Sequence, residues 1–345
     1  MDTSWHSILE LARHAPSPYN AQPWRVRVLD ESRAEVYVER ARTLPEEELT
    51  GSSLVLTMGL FIESMRLVAA QRGHRLDDEL AAANDSFEAK ALDARDEEYL
   101  LFARLSLRPS SSPTPDASAL ILARRTSRLP FDTDPVGLKE TRALTKIASP
   151  WGYRYTQSSE PKRIERLFEA NERALRRRFS QPGCRDEVTR WVRFSDREAR
   201  TRGDGLDARC LGRQPFALFA EHRLPKFRST NETLPRTATM GCLSGPYGPC
   251  QESYRAGRFL MHFWLECTRL GLAIQPLASL VNDVEAAKRG ALDWRVPGIW
   301  LAFRIGRSPE PAKSYRRPVE DLLLDEDEVR AASPRTSPAT SDRRS

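Results

Sequence analysis

Two helical segments in different parts of the chain align with each other. The first reads MGLFIESMRLVAAQRGH from Met58, and the second reads AGRFLMHFWLECTRLGL from Ala256. In both, a glycine opens the helix and another closes it, and two apolar positions also match: Gly59 with Gly257, Gly73 with Gly271, Phe61 with Phe259, and Leu67 with Leu265. Chance similarity between amphipathic helices is the alternative explanation. If the match is real, the chain consists of two related halves, each supplying a long central helix, with a site at their junction.

Length and composition describe a globular chain. The 345 residues allow either one large unit or two related smaller ones, and a hydrophobic content of 40% is enough to form a core. A mean hydropathy of -0.55 argues against a membrane protein. The N-terminus has no apolar run before Pro16, so we expect no signal peptide and a cytoplasmic location. Five cysteines indicate reduced thiols, and the spacing of Cys242 and Cys250 fits no metal site.

The charge balance favours a small anionic ligand over a nucleic acid. The net charge is +6, from 54 basic and 48 acidic residues. The arginines are scattered among acids along the chain, so no stripe of one sign is available to follow a phosphate backbone. We therefore expect a small-molecule substrate and neither a nucleic-acid nor a membrane partner.

The hydrophobic pattern predicts both helices and strands. Two runs of strand alternation, WRVRVLD and AEVYVER, precede a long helix over about Ser52–Arg72, and an acid-rich helix is expected over about Asp78–Ala94. The segment Arg108–Ser118 is rich in proline and serine and is predicted to link the halves. The expected domains are therefore 1–118 and 119–332, followed by a disordered tail, 333–345.

Three clusters offer polar groups suited to one anionic, planar ligand. In ARHAPSPYNAQPWRV, prolines stiffen a loop that carries hydroxyl and amide groups able to bind the edge of a heterocycle. In ILARRTSRLPFDTDPV, several arginines and a hydroxyl lie close together and suit a phosphate. In AKSYRRPVEDLL, Lys313, Arg316 and Arg317 precede a proline. The simpler explanations are a connector loop, a solvated basic turn and ordinary surface, respectively.

Together these clusters resemble the motifs of the nitroreductase family of flavin mononucleotide (FMN) enzymes, and their order resembles its fused, Acg-type branch. RRTSR, APSPYNAQPW and SYRRP match the family's signatures, and GDGL at Gly203 and GLAIQPL at Gly271 are similar to further family segments. The resemblance implies an α+β fold in which two related halves are fused as a pseudo-dimer, each a small, mainly antiparallel sheet packed with long helices. Each half retains the motif that the other lacks, which implies one complete flavin site, one vestigial site, and either a monomer or a homodimer.

Carried over to this chain, the resemblance implies which residues contact FMN. Arg124, Thr126 and Arg316 would hold the phosphate and ribityl chain, with Arg125 beside them. Ser314 stands where a lysine is common, and Lys313 or Arg317 would compensate. Arg128 would reach the pyrimidine edge of the ring. The ring contacts from the first half would be Pro16, Ser17, Asn20 and Gln22, and backbone amides over Gly271–Leu277 would face the hydride-accepting nitrogen, including Gln275, Pro276 and Leu277.

The implied activity is a two-step hydride transfer from NADPH or NADH, by way of FMN, to a nitroaromatic, quinone or similar acceptor. It requires no catalytic side chain, and His262 is expected to be an ordinary core histidine. Two alternatives share the cofactor: a flavin-sequestering protein without turnover, and a biosynthetic flavin dehydrogenase with a dedicated substrate. In both, the loop-rich region 203–249 would serve as a lid. An interaction protein without a cofactor is a further alternative.

Overall fold

The first four strands of the chain form one antiparallel sheet. The structure, a computed structural model, describes residues 4–46, 51–81, 87, 98–111, 116–207 and 236–331. The elements of the first sheet and its helices are α1 (Ser4–Ala12), β1 (Trp24–Val28), β2 (Arg33–Glu39), α2 (Ser52–Gln71), β3 (His74–Leu80) and β4 (Tyr99–Pro109). The strands lie in the order β1-β2-β4-β3, and every neighbouring pair is antiparallel.

The second half repeats this arrangement. Its strands β5 (Arg154–Ser158), β8 (Met240–Ser244), β9 (Ala273–Pro276) and β10 (Ile299–Gly306) lie in the order β5-β8-β10-β9, again antiparallel. Helix α4 (Leu138–Ala148) precedes β5, and helix α8 (Cys250–Arg269) connects β8 to β9, as α1 and α2 do in the first half. The predicted α+β fold, with two related halves that each form a small antiparallel sheet with a long helix, is confirmed.

The remaining described elements belong to the second half. They are α3 (Ser118–Ala123), α5 (Pro161–Phe179), α6 (Pro182–Arg190), β6 (Val192–Arg193), α7 (Asp196–Arg202), β7 (Leu206–Asp207), α9 (Ser279–Asn282), α10 (Val284–Trp294) and α11 (Glu326–Ala331). Strands β6 and β7 pair in parallel as a separate two-stranded ribbon. Much of this structure is inserted between β5 and β8, where the first half has only the short turn between β1 and β2.

The two long helices correspond over their whole length. The spacing that aligns Gly59 with Gly257 also aligns the first and last residues of α2 with those of α8. The helices cross at these glycines, because a β-carbon on Gly257 would lie 2.0 Å from the carbonyl oxygen of Leu56 and 3.1 Å from the α-carbon of Gly59. Only the absence of a side chain allows the two backbones to approach this closely. The aligned glycines therefore lie where the two long helices approach each other most tightly in sequence-related positions, and they allow this crossing.

The aromatic packing follows the same symmetry. Phe61 of α2 stacks on Trp24 at the start of β1, with ring centroids 4.5 Å apart. The aligned Phe259 of α8 stacks on Tyr153, just before β5, at 4.6 Å. All four side chains belong to one apolar core that both halves share. Helix α2 is long and apolar enough by composition to cross a membrane, but 72% of the relevant window is buried in this core.

The C-terminal segment of the second half packs against the first half. Leu323 forms a parallel bridge with Val26 of β1, and the amide of Leu324 donates to the Val26 carbonyl at 2.8 Å. The Arg25 guanidinium donates to the Leu323 carbonyl at 2.9 Å. This crossing brings the SYRRP segment, which precedes it, to the first half of the chain.

Two predictions about the first half are corrected by the structure. The acid-rich helix expected from Asp78 is wrong at its start, because Asp78, Glu79 and Leu80 pair with β4 in strand β3. Strand β3 lies at the sheet edge, where Arg75 and Glu79 are exposed to solvent, so acidic content is misleading there. The predicted linker is also wrong at its start, because Arg108 and Pro109 end β4. Residues 82–86, 88–97 and 112–115 lie outside the described residues.

The predicted domain boundaries remain predictions. The last strand of the first sheet ends at Pro109, and the next described helix begins at Ser118. The expected disordered tail, 333–345, lies outside the described residues. The same applies to 208–235, most of the region predicted to act as a lid.

Candidate functional site

The proline-rich loop between α1 and β1 has an unusual backbone. Tyr19, Asn20 and Gln22 have φ values of 48°, 56° and 52°, in the left-handed region that side chains other than glycine rarely adopt. The Ser17 hydroxyl accepts a hydrogen bond from the amide of Gln22 at 3.0 Å and so closes the turn. Pro16 is buried at its start. The loop is thus held in one conformation that directs its amide side chains inward.

Asn20 joins the loop to two segments of the second half. Its side chain is 6% exposed, and Nδ2 donates to the carbonyl of Tyr315 at 3.0 Å and to that of Gly205 at 3.2 Å. The side-chain oxygen Oδ1 is buried and has no hydrogen-bond partner among the described residues. A buried acceptor without a donor is costly. Asn20 therefore connects three motifs and leaves one acceptor available to a ligand.

Gln22 makes a similar but fully satisfied connection. The side chain is completely buried, and Nε2 donates to the carbonyl of Gly203 at 2.9 Å and to that of Asn20 at 3.2 Å. Its oxygen Oε1 accepts from the amide of Arg317 at 3.1 Å. Because these contacts use its amide, the structure gives Gln22 a role in joining GDGL and SYRRP to the loop.

Asp204 fixes the GDGL segment against both halves. It is 5% exposed and pairs with Arg42 of the first half at 2.8 Å and with Arg193 at 2.6 Å. The Arg193 side chain is itself 2% exposed. A buried carboxylate between two guanidinium groups holds this junction in a defined geometry.

The RRTSR segment lies beside strand β9. Thr126 forms a parallel bridge with Ile274, and the Ser127 amide donates to the Ile274 carbonyl at 3.3 Å. Arg124 to Arg128 are therefore next to the GLAIQPL segment, which supplies Gln275, Pro276 and Leu277. The Leu277 amide is already used, since it donates to the Ala302 carbonyl at 2.8 Å.

Arg304 connects these two segments from within the core. This fully buried guanidinium donates to Oε1 of Gln275 and to the carbonyl of Leu129, both at 2.9 Å. Its Cζ lies 4.2 Å from the ring centroid of Phe131. Burial lowers the pKa of Arg304 to about 9. The sequence gives little indication of this role, because Arg304 stands within an otherwise apolar strand.

Arg124 is the buried cation of the site. It is 5% exposed, its Cζ lies 4.7 Å from the ring centroid of Trp264 on α8, and Nη2 donates weakly to the His14 carbonyl at 3.4 Å. Its Nε and Nη1 are buried without hydrogen-bond partners among the described residues. Burial, together with the charges of Arg316 and Arg125, lowers the pKa of Arg124 to about 9. Such a group is ready to bind an anion.

His14 lies within the same group of cations. Burial and the charges of Arg316, Arg13, Arg124 and Arg125 lower its pKa to about 3. These residues come from the segment that follows α1, from the RRTSR segment and from SYRRP, so both halves of the chain contribute. We call His14, Arg124, Arg125 and Arg316 the basic cluster. The sequence motifs do not point to His14, although it immediately precedes APSPYNAQPW.

Other predicted residues lie nearby but have different contacts. Arg317 is 5% exposed, and its guanidinium pairs with Glu39 at 2.9 Å and donates to the Asp321 carbonyl at 2.6 Å. The structure thus directs the Arg317 side chain to Glu39, which argues against its predicted contact with the phosphate. Arg125 approaches Glu310 at 3.9 Å. Thr126, Arg128, Ser314 and Arg316 are half-buried.

An open cavity of about 510 Å³ lies between β1 and the C-terminal segment. Its lining includes Arg25 and Arg317 but neither Arg124 nor Asn20. The cavity is therefore separate from the basic cluster. Among the described residues, no three His, Cys, Asp or Glu side chains are grouped as a metal ion would require.

The position related to the basic cluster by the pseudo-symmetry is occupied by ion pairs. In the helix alignment Trp264 corresponds to Arg66, which pairs with Asp78 and with Glu63. Glu63 also accepts from Arg258 at 2.7 Å and contacts Nε2 of His262 at 2.8 Å. These arginines therefore already have carboxylate partners, unlike Arg124. His262 contacts Glu63 at the helix interface, but its side chain is 30% exposed, so it is half-buried and not the core histidine that the sequence predicts.

This ion-pair group predicts an acid-sensitive contribution to stability. Burial raises the pKa of Glu63, but the His262 hydrogen bond and the charges of Arg258 and Arg66 outweigh it and hold the pKa at about 2. Because the folded pKa is lowered, the stabilisation is present above the ordinary pKa of 4.5 and is lost as the pH falls towards 2. The contribution at neutral pH is on the order of 3 kcal/mol.

We expect Glu63→Gln to unfold at a lower urea concentration than the native chain at pH 7 and to lose less of its remaining stability between pH 5 and pH 3. Urea titrations at these pH values measure both effects. Glu169→Gln, which breaks an exposed pair with Arg173, is the matched control and should behave like the native chain. An identical loss between pH 5 and pH 3 in Glu63→Gln and the native chain would contradict this assignment.

Comparison with known proteins gives distant relatives. No protein-family model matches the chain. An uncharacterised protein of Mycobacterium tuberculosis (strain ATCC 25618 / H37Rv) is 26% identical, with 91% of this chain and 90% of the relative covered. A protein of Serratia sp. (strain ATCC 39006) named probable NAD(P)H nitroreductase PigM is 23% identical, with 90% and 91% covered. Both alignments therefore extend over nearly the whole chain.

Solved structures match part of this chain at low sequence identity. The FMN-dependent nitroreductase NfnB of Mycobacterium smegmatis, in complex with NADPH, matches with 17% identity and a TM-score of 0.35, covering 66% of this chain and 97% of NfnB. A nitroreductase of Bacteroides fragilis with bound FMN matches with 15% identity and a TM-score of 0.36, covering 59% and 94%.

Proposed function

We propose that this chain is a nitroreductase-like, FMN-dependent oxidoreductase with one flavin site per chain. The observation that carries the proposal is the basic cluster, in which Arg124 is buried with two nitrogens that have no hydrogen-bond partner among the described residues. Arg316 and Arg125 add positive charge at the same place. A phosphate group would supply the missing acceptors and neutralise part of this charge.

The neighbouring residues fit the rest of an FMN molecule. Arg124 and Arg316 would hold the phosphate, and Thr126 lies beside them along β9. The Oδ1 atom of Asn20, which has no partner among the described residues, would accept a hydrogen bond from a hydroxyl or N–H group. Pro16 and Ser17 lie in the same loop. Bound FMN would supply the hydride chemistry, while the side chains bind and orient it.

The comparisons support this proposal at the level of the reaction class. The Serratia relative aligns over 90% of this chain and is named a probable NAD(P)H nitroreductase. We infer that NADPH or NADH is the electron donor and that a nitroaromatic, quinone or similar small molecule is the acceptor. Because one chain already contains both halves, we propose that a monomer carries a complete site, and that the protein acts in the cytoplasm without a nucleic-acid or membrane partner.

An anaerobic titration of the purified protein with NADPH, and then with NADH, tests the function. We expect the absorbance of bound flavin to bleach at close to one equivalent of the preferred donor. Flavin that stays oxidised with both donors but is reduced by dithionite would contradict turnover with NAD(P)H and favour a sequestering protein or an enzyme with a dedicated substrate. A protein that cannot be loaded with FMN would overturn the flavin site itself.

Asn20 provides a test of the contribution from the first half. We expect Asn20→Ala to weaken FMN binding about tenfold, because it removes one acceptor and loosens two contacts with the second half. Fluorescence quenching of FMN measures the dissociation constant. Gln157→Ala, which alters a half-buried amide on β5, is the control and should retain the native affinity. Unchanged FMN affinity in Asn20→Ala would argue against a site shared by both halves.

A further inference from the structure

The loop that carries Asn20 has a backbone conformation that its own residues do not favour. Tyr19, Asn20 and Gln22 have φ values between 48° and 56°, although none of them is glycine. Residues with a side chain keep such a left-handed backbone only where surrounding contacts compensate for the strain. Contacts from elsewhere in the chain are therefore expected to hold the loop.

The guanidinium of Arg42 reaches the middle of this loop. Its Nη1 donates to the carbonyl of Ala21, which lies between two left-handed residues, at 3.0 Å. The same nitrogen donates to Oδ2 of Asp204 at 2.8 Å. The residue after Asp204, Gly205, donates its amide to the Asn20 carbonyl at 3.3 Å and accepts from Asn20 Nδ2 at 3.2 Å. Asp204 is therefore connected to the loop on both sides, through Arg42 and through Gly205.

These contacts belong to a row of alternating charges that passes between the two halves of the chain. We call it the charge row, and its members are, in order, Arg193, Asp204, Arg42, Glu39 and Arg317. Neighbouring members approach at 2.6, 2.8, 3.2 and 2.9 Å, and their side chains are only 2% to 18% exposed. Ion pairs buried to this extent are little screened by solvent. At its far end, the amide of Arg317 donates to Oε1 of Gln22, so the charge row contacts the loop there as well.

We propose that Asp204 and Arg42 are positioning residues for the flavin, which hold the loop in its left-handed conformation and so make Oδ1 of Asn20 available to the ligand. Neither residue has to touch FMN for this role. The inference rests on the proposed flavin site, because that site gives Asn20 its ligand contact. It assigns a function to a carboxylate and a guanidinium that come from different halves of the chain and are buried together.

Hydrogen exchange in the flavin-free chain tests the loop without any ligand. Asp204→Asn keeps the shape of the side chain and removes its charge, and Arg42→Met removes the donor to Ala21. In both variants we expect a peptide covering residues 17–24 to exchange its amide hydrogens about tenfold faster or more, because the loop opens more often. Glu63→Gln is the matched control, since it also removes a buried carboxylate paired with two arginines, but at the crossing of α2 and α8. Its loop should exchange at the native rate.

The dissociation constant for FMN, measured by fluorescence quenching, tests the consequence for the site. We expect each single variant to bind FMN about tenfold more weakly than the native chain. The double variant Asp204→Asn/Arg42→Met should also be only about tenfold weaker, because both changes interrupt the same series of contacts, whereas independent effects would multiply to about a hundredfold. Glu63→Gln should keep the native FMN affinity.

Native exchange of the loop in both variants, faster exchange with native FMN affinity, or a multiplicative loss in the double variant would overturn the inference. If Asp204→Asn does not fold, Arg42→Met decides, since its side chain is less deeply buried. Failure of the proposed function is distinguishable. A native chain that binds no FMN would overturn that function and, with it, this role of Asp204, whereas equal FMN binding by the native chain and both variants would overturn the inference alone.

Discussion

Replacing Arg124 and Arg316 together by methionine is expected to reduce FMN affinity at least a hundredfold, because two charge-assisted contacts worth about 1.5 to 3 kcal/mol each are lost. The fold should remain, since among the described residues Arg124 makes one weak hydrogen bond and packs against the ring of Trp264. Removal of a buried, uncompensated charge should even stabilise the flavin-free chain. The variant is therefore expected to lose FMN and to retain or increase its thermal stability.

These two readouts separate a ligand site from a structural one. FMN content after purification and the dissociation constant measure binding, and thermal unfolding of the flavin-free chain measures stability. Arg269→Met removes a surface arginine that pairs with Glu266 on α8, and it should change neither quantity. A double variant that purifies with native FMN content would contradict the assignment. A double variant that unfolds at a much lower temperature would instead give both arginines a structural role.

Gly257→Ala is expected to destabilise the protein by about 3 kcal/mol or more, because the added β-carbon would lie 2.0 Å from the Leu56 carbonyl oxygen. Relief of this clash requires α2 and α8 to separate. The helices support both sheets and carry Trp264, so separation would also disturb the basic cluster. Soluble yield and the midpoint of thermal unfolding measure the loss, and Gly59→Ala should produce a similar effect, since its β-carbon would lie 2.4 Å from the Tyr254 carbonyl oxygen.

Gly290→Ala provides the control for this prediction. Gly290 also lies within a helix, α10, but a β-carbon there would have no atom within 4 Å. Alanine is favoured over glycine in a helix, so this variant should match or exceed native stability by about 0.5 to 1 kcal/mol. Equal stability of Gly257→Ala and Gly290→Ala would contradict the close helix crossing on which the pseudo-symmetric arrangement depends.

The sequence predicts the pseudo-symmetric fold from two sources, the alignment of the two long helices and the resemblance of the motifs to the nitroreductase family. Matching glycines and apolar positions in two helices reflect the same packing requirement, which the crossing at Gly59 and Gly257 confirms. The sequence predicts a helix from Asp78, where the structure has strand β3, because charged residues occur both in edge strands and in helices. Composition alone cannot distinguish the two when the hydrophobic alternation is weak.

The site was less predictable, because its details depend on partners that are distant in sequence. The motifs indicated that the loop, RRTSR and SYRRP belong together, and the structure brings them together through Asn20 and Gln22. Which polar atoms remain available could not be read from the motifs. The side chain of Gln22 donates to carbonyl groups, and the Arg317 guanidinium pairs with Glu39. Arg124, by contrast, keeps two nitrogens without hydrogen-bond partners in the described part of the chain. The motifs do not predict His14 as a site residue, because only the folded chain surrounds it with cations.

The two pseudo-symmetric positions differ in the hydrogen-bond and ion-pair partners of their arginines. Arg124 has two buried nitrogens without hydrogen-bond partners among the described residues, whereas Arg66 at the related position is paired with Glu63 and Asp78. The proposed function therefore assigns a phosphate group to the first position and none to the second. A fused chain of this kind should bind one flavin, although two related halves could in principle build two sites.

The most direct measurement is the number of FMN molecules bound per chain, determined by calorimetric titration of the flavin-free protein and repeated with Arg124→Met. We expect one equivalent of FMN to bind per native chain and the Arg124→Met variant to lose most of its FMN binding. Two equivalents per native chain would contradict the claim that the second, pseudo-symmetric position, where Arg66 is paired, binds no flavin. No binding to the native chain, or unchanged binding to Arg124→Met, would contradict the flavin site at the basic cluster.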